Sequence, residues 1–366
     1  MIPVSEPFLS GKELEYVTDC IKTNWISSIG KYVRNFEDVF ARFCGTSCAV
    51  STSSGTAALH LALLALDIKA GDEVIMPDLT FVASANAVLY CGARPVFVDV
   101  DEKTWNIDPE KIEACITERS RAIMVVHLYG HPCDMDAVMK IAERHNLKVI
   151  EDAAQAHGAE YGKKRVGSIG DAGVFSFYGN KLITTGEGGM ITTDSPDIAE
   201  KARLLRDHAM SKTRRYWHDL PGYNYRLTNI QAAIGVAQME QADDFIGIKR
   251  RNAALYNSLL RDMDGITLPP EADRCKNVYW MYSILIEDDF GLSRDEVMAR
   301  LKDMGIDTRP FFYPLHRLPM YSSDAEYPVA DELSRKGINL PSSTKLTDSD
   351  IKTVCAAIAS VRDKNR

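Results

Sequence analysis

The chain of 366 residues has no apolar run near the roughly 18 residues that a membrane span requires. Its first residues, Met1-Ile-Pro-Val-Ser-Glu-Pro, lack the basic and then apolar pattern of a secretion signal, so a soluble cytoplasmic protein is expected. The eight cysteines are scattered without a CxxC pair, which suggests neither a disulfide framework nor a zinc site; free, mostly buried thiols are expected. No block of like charge occurs. The 43 Lys and Arg against 51 Asp and Glu leave a net charge of −8, no footprint for nucleic acid or an anionic membrane. Internal repeats and low-complexity segments are also absent, and 45% hydrophobic residues exclude disorder and supply a sizeable core.

Standard nucleotide and metal motifs are missing as well. Gly158-Ala159-Glu160-Tyr161-Gly162-Lys163-Lys164 is one residue short of a P-loop and ends in Lys where Ser or Thr would bind magnesium. No GxGxxG follows a strand, which removes support for nicotinamide chemistry. His127 and His131 precede Pro132 and lack the helix that would aim both at one metal, so no metal is expected.

What is present is an alternation of short apolar runs with helical patterns between Gly71 and Thr193. The runs are Val74-Ile75-Met76, Pro95-Val96-Phe97-Val98, Ala122-Ile123-Met124-Val125-Val126, Lys148-Val149-Ile150 and Gly173-Val174-Phe175-Ser176-Phe177. They predict an α/β fold with a mostly parallel sheet covered by helices on both faces. Ala57 to Leu66 is apolar nearly all round and predicts a buried helix, with His60 structural. Asn229 through Leu260 reads as one helical stretch, ended by Pro269-Pro270 and leading into a smaller domain. The expected division is a large domain over 1–245 and a small α+β domain over 246–366. The latter holds a strand candidate at Tyr282–Ile286, a Ser-capped helix opening at Ser293-Arg294-Asp295-Glu296, and the aromatic, proline-containing loop Arg309–His316.

Three sites carry chemistry together. Ser53-Ser54-Gly55-Thr56 precedes the apolar helix, where small residues let the backbone approach an anion, although Ser and Thr are also ordinary helix caps. Val149-Ile150-Glu151-Asp152-Ala153-Ala154-Gln155 is a strand ending in two acids. Asp152 there can keep a pyridinium nitrogen protonated or can cap the next helix. Phe175-Ser176-Phe177-Tyr178-Gly179-Asn180-Lys181, followed by Thr185-Gly186-Glu187-Gly188-Gly189, offers a lysine among aromatic residues as a candidate Schiff-base former, because desolvation exposes a neutral amine.

With Trp25-Ile26-Ser27-Ser28 and Gly222-Tyr223-Asn224-Tyr225-Arg226, these motifs make essentially the whole chain resemble the pyridoxal-phosphate-dependent sugar aminotransferases of the DegT/DnrJ/EryC1/StrS family. The resemblance implies fold type I, the aspartate aminotransferase-like transferase fold. It implies that Lys181 carries pyridoxal 5'-phosphate, Asp152 pairs with its ring nitrogen, and Gln155 lies near its phenolic oxygen. Gly55, Thr56 and Ser176 would hold the phosphate, Phe81 would stack on the ring, and Asn224 would reach the phosphate of a neighbouring subunit, which implies a homodimer with shared active sites. Glutamate would be the amino donor. Some relatives carry another residue at the lysine position and dehydrate their substrates, so Lys181 favours transamination. A non-catalytic regulator that senses a sugar nucleotide or the cofactor is the rival of another class.

The sugar is indicated by Thr23–Ser28, His127–Cys133, Arg215-Tyr216-Trp217-His218, Asn229–Ala233 and Gly337–Pro341, which most resemble the branch acting on GDP-4-keto-6-deoxymannose. That branch tends to hold Glu at the position of Gln155, so a UDP- or dTDP-linked 4-keto-6-deoxyhexose is the alternative acceptor. Candidates to line the substrate are Trp25, Ser27, Arg226, Tyr313 and His316. Against these roles, Trp25 and Tyr313 could be core or dimer contacts, Arg226 could pair with an acid, and His316 could be a structural loop residue.

Overall fold

The five apolar runs all become strands of one seven-stranded sheet in the computed structural model, which describes residues 1–363. In chain order its strands are β1 (Cys48–Thr52), β2 (Glu73–Pro77), β3 (Arg94–Val98), β4 (Ser120–Val126), β5 (Lys148–Asp152), β6 (Ala172–Ser176) and β7 (Gly189–Thr193). Across the sheet the order is β1-β7-β6-β5-β4-β2-β3. Strands β2 to β6 pair in parallel, while β7 runs antiparallel to both its neighbours, β1 and β6.

Helices on both faces explain why these strands read as unbroken apolar runs. Val74 and Met76 of β2 pack with the Gly55–Ala65 and Ala83–Tyr90 helices, whereas Ile75 between them packs with the Met135–His145 helix on the other side. Strands β1 and β7 escape the apolar pattern because their buried Ser and Thr are satisfied by hydrogen bonds. Ser51 Oγ donates to Glu37 at 2.8 Å, Thr192 Oγ1 to the Gly167 carbonyl at 2.6 Å, and Thr193 Oγ1 to that of Asp171 at 2.7 Å.

The expected single helix from Asn229 to Leu260 is corrected to two, Asn229–Met239 and Ala242–Leu260. No Gly or Pro marks the break; Glu240 and Gln241 are instead tied to the amino-terminal segment, through Tyr16 Oη at 2.6 Å and Ser10 Oγ at 2.8 Å. A second, antiparallel sheet joins Ile266–Thr267, Tyr282–Ile286, Gly337–Leu340 and Arg309–Pro310. The Arg294–Asp303 helix opens with the Ser293–Glu296 capping box expected from the sequence. The first residues also join this part of the molecule, Ile2 bridging to Ile306. All eight cysteines are free, but only four are buried, because the others sit at partly open edges of the elements. Among the described residues no helix is long and apolar enough to cross a membrane.

Candidate active site

Strand β5 delivers Asp152 to the end of the parallel sheet, where its carboxylate is held from two sides. Ser84 Oγ donates to Oδ2 at 2.6 Å and the Ala154 N–H to Oδ1 at 3.1 Å. Burial pushes the Asp152 pKa up; the Ser84 and Ala154 hydrogen bonds and the charge of Lys181 oppose that shift. Asp152 precedes a turn rather than a helix, so the capping alternative falls away. Its neighbour Glu151 points the other way and is structural: it accepts from His127 and from the N–H groups of Gly167, Ile169 and Gly170, and these bonds hold its pKa down against burial.

Strand β6 ends at Ser176 and leads to Lys181. Burial lowers the Lys181 pKa to about 8, with the Asp152 carboxylate acting in the opposite sense. An amine of that pKa carries a far larger neutral, nucleophilic fraction near physiological pH than an ordinary lysine does.

The Gly55–Ala65 helix starts against the end of β6. Ser54 caps it by accepting from the Ala57 N–H at 3.1 Å, and the first N–H groups of the helix have no partner within it. Gly55 is required by close approach: a Cβ there would stand 2.7 Å from Ser176 Cβ. The result is a backbone cradle facing a side-chain hydroxyl, suited to a phosphate group.

These elements enclose a cavity of about 390 Å³, lined by Gly55, Thr56, Phe81, Asp152, Gln155, Ser176 and Lys181. Phe81 is exposed at the rim and tilted against Phe312, with ring centroids 5.7 Å apart. Gln155 is buried and its Oε1 accepts from the Tyr129 N–H at 2.8 Å. Ser84, Trp280, Arg309 and Phe312 also line the cavity; of these only Arg309 and Phe312 are marked in the sequence, as part of the Arg309–His316 loop. Ser84 could have been found only by noticing that it follows Phe81 by one helical turn; Trp280 and Arg309 come from the second sheet region.

The remaining candidates lie outside this cavity. Trp25 is exposed and lines a separate open hollow with Lys31 and Arg34, and Ser27 is exposed with its carbonyl accepting from the Asn229 N–H at 2.7 Å. Asn224 is exposed and bridges to Asp207 through its backbone, Arg226 pairs with Asp207, and Tyr313 projects into solvent. The His316 ring is turned into the interior, where Nδ1 lies 2.6 Å from Asp78 Oδ2. The backbone N–H groups of Leu315 and His316 both bond to Asp78, and this draws the ring inward.

Comparison with known proteins agrees with this architecture. The DegT/DnrJ/EryC1/StrS aminotransferase family matches residues 7–359. The chain is 49% identical over 363 residues to the GDP-perosamine synthase of Caulobacter vibrioides, covering 98% of both chains. It is 48% identical over 358 residues to that of Escherichia coli O157:H7, covering 98% of this chain and 97% of the relative. The structure of the aminotransferase TlmJ from Streptoalloteichus hindustanus superposes with a TM-score of 0.94 at 30% identity, covering 100% of this chain and 99% of that one. The fold is therefore the type I transferase fold, and with a family match spanning nearly its full length, the chain belongs to the DegT/DnrJ/EryC1/StrS aminotransferases.

Proposed function

We propose that the protein transfers the amino group of glutamate to C4 of GDP-4-keto-6-deoxymannose, forming GDP-perosamine, with pyridoxal 5'-phosphate as cofactor. The observation that carries this reading is the meeting of a low-pKa Lys181, a buried Asp152 and the Gly55–Ser176 cradle around one cavity. The identity to GDP-perosamine synthases supports the choice of sugar nucleotide.

The residues fit the cofactor on chemical grounds. A buried carboxylate matches a protonated ring nitrogen, an amine of depressed pKa matches an aldehyde, and a glycine cradle at a helix N-terminus matches a phosphate. Lys181 would hold the aldehyde carbon, Asp152 the ring nitrogen, and Gly55, Thr56 and Ser176 the phosphate. Phe81 would cover the ring, with Gln155 near the phenolic oxygen. When bound, the cofactor supplies an electron sink for the carbon that loses its proton.

The protein's part is positioning and proton transfer. Lys181 Nζ would act as the base that takes the proton from the donor's α-carbon and, in the second half, as the acid that returns one to C4 of the sugar. Asp152 would hold the ring nitrogen in its protonated form, and its burial away from water would strengthen that pairing. Glutamate leaves as 2-oxoglutarate and the keto sugar leaves as the amino sugar.

Asn224, exposed and outside the cavity, is available to a second copy, and a homodimer with shared sites is part of this proposal. Trp25, Ser27, Arg226 and Tyr313 are proposed to meet the nucleotide sugar from outside the cavity. Gln155 does not move the reading away from GDP: its contact with Tyr129 requires only an acceptor, which Glu would also provide.

The test is a mass-resolved assay of the purified protein with pyridoxal phosphate and glutamate, offering GDP-4-keto-6-deoxymannose and the UDP- and dTDP-linked 4-keto-6-deoxyhexoses separately. Amination of the GDP sugar alone is expected. Product only from a UDP or dTDP sugar would move the enzyme to another branch, and bound cofactor without any half-reaction with glutamate would favour the regulator.

A further inference from the structure

Trp280 is drawn against Lys181 from a distant part of the chain. The centroid of its indole lies 3.8 Å from Lys181 Nζ, and its ring N–H donates to the carbonyl of Asn180 at 2.8 Å. The ring is fixed in turn. Tyr129 lies nearly parallel to it, at 20° and 6.3 Å, and the Trp280 backbone carbonyl accepts from Lys249 Nζ at 2.9 Å. Lys249 is buried, makes no ion pair among the described residues, and also bonds to the Ser342 carbonyl, so one side-chain nitrogen ties the segment before the Tyr282–Ile286 strand to the segment after Gly337–Leu340.

We propose that Trp280 is a positioning residue for Lys181: the face of its indole seats the ammonium form of the lysine, while its ring N–H fixes the peptide that carries it. An aromatic face attracts a cation through the ring quadrupole, most strongly where water is excluded. Lys181 needs such a seat because burial disfavours its charged form, yet it must hold a proton each time it works as a base. The other charged and titratable groups around it are Asp152, Tyr178, Glu187 and Arg309 in the cavity wall, and Tyr129 behind Trp280. His157, whose pKa is lowered mainly by burial and further by the Lys181 charge, completes the set. Substituting Trp280 removes none of these groups.

The inference rests on Lys181 being the reacting amine, but its test does not need the reaction. Full-length, cofactor-free protein is treated with a lysine-acylating reagent across pH 6 to 10, on the order of the range that brackets a lysine of lowered pKa, and modification of the Lys181 peptide is followed by mass spectrometry. The wild type is expected to titrate at about 8. Trp280→Leu should move the midpoint down by about one pH unit and Trp280→Phe by less in the same direction. An unchanged or higher midpoint in both variants overturns the proposal. Should the Leu variant fail to fold, the Phe variant decides by the same criterion. Imine formation with pyridoxal phosphate is read separately by absorbance; its failure in the wild type would defeat the functional reading of Lys181 and leave the titration result standing.

Discussion

His316 Nδ1 and Asp78 Oδ2 meet at 2.6 Å in the protein interior, and this bond locks the aromatic loop after Arg309–Pro310 onto the residue that follows β2. Asp78 also accepts from the His316 N–H at 2.9 Å, and its own carbonyl accepts from the Leu315 N–H at 2.8 Å. Burial pushes the Asp78 pKa up, and the histidine's hydrogen bonds oppose that shift.

Removing one side chain of such a pair leaves the other buried and short of its main partner. His316→Ala should therefore lower the unfolding free energy by about 3–5 kcal/mol. Adding Asp78→Asn should make the combined loss smaller than the sum of the two single losses. Urea denaturation of the four proteins checks both statements; strictly additive losses would mean the pair is not coupled.

Lys181→Ala should still bind pyridoxal phosphate, without its imine absorbance, and turnover should fall by roughly 10³-fold or more. Asp152→Asn keeps an acceptor for the Ser84 hydroxyl but loses the charge, and the half-reaction with glutamate should slow by about 10²–10³-fold. Absorbance spectra and single-turnover rates measure both. Normal turnover by the Lys181 variant would refute its assignment.

Gly55→Ala places a methyl group 2.7 Å from Ser176 Cβ, so helix and strand must move apart. The expected result is a loss of about 1–3 kcal/mol in stability and roughly tenfold or more in cofactor affinity, while the circular dichroism spectrum is retained. Cofactor titration reads the second effect, and unchanged affinity would remove Gly55 from the phosphate cradle.

Two buried histidines set an acid limit on stability. Burial lowers the His131 pKa to about 4 and, with the Lys181 charge, that of His157 to about 3. Between these values and the unfolded value of about 6.5 the unfolded chain binds protons that the folded chain does not, so stability falls as pH drops through that window. His157 is packed among Phe40, Phe175 and Phe177, so His157→Phe should be tolerated. It should also shrink the loss on going from pH 6 to pH 5 by about 1 kcal/mol. Denaturation midpoints at the two pH values test this; an unaltered pH slope would contradict it.

Much of this molecule is written in short stretches of its sequence. Apolar runs covered on both faces announce β2 to β6, the all-round apolar segment before Leu66 announces a buried helix, and Ser293 with Glu296 announces a cap. The small residues at Ser53–Thr56, the acid ending β5 and the lysine after β6 carry a family resemblance in their local order, and the parallel sheet brings their ends to one cavity.

Local pattern could not reveal contacts made by packing. β1 and β7 hide behind Ser and Thr whose hydroxyls find acceptors only in the assembled fold, and the break at Glu240–Gln241 is created by residues near the amino terminus. His316 faces inward because Asp78, remote in sequence, accepts its ring and backbone, and Trp280 meets Lys181 because Lys249 and Tyr129 hold it there. Strand and helix propensities act between near neighbours, so local sequence determines the strongly patterned elements and the chemical groups they carry. Burial and long-range hydrogen bonds exist only once the chain has closed on itself, and they decide which of those groups share a cavity and which are turned away from it.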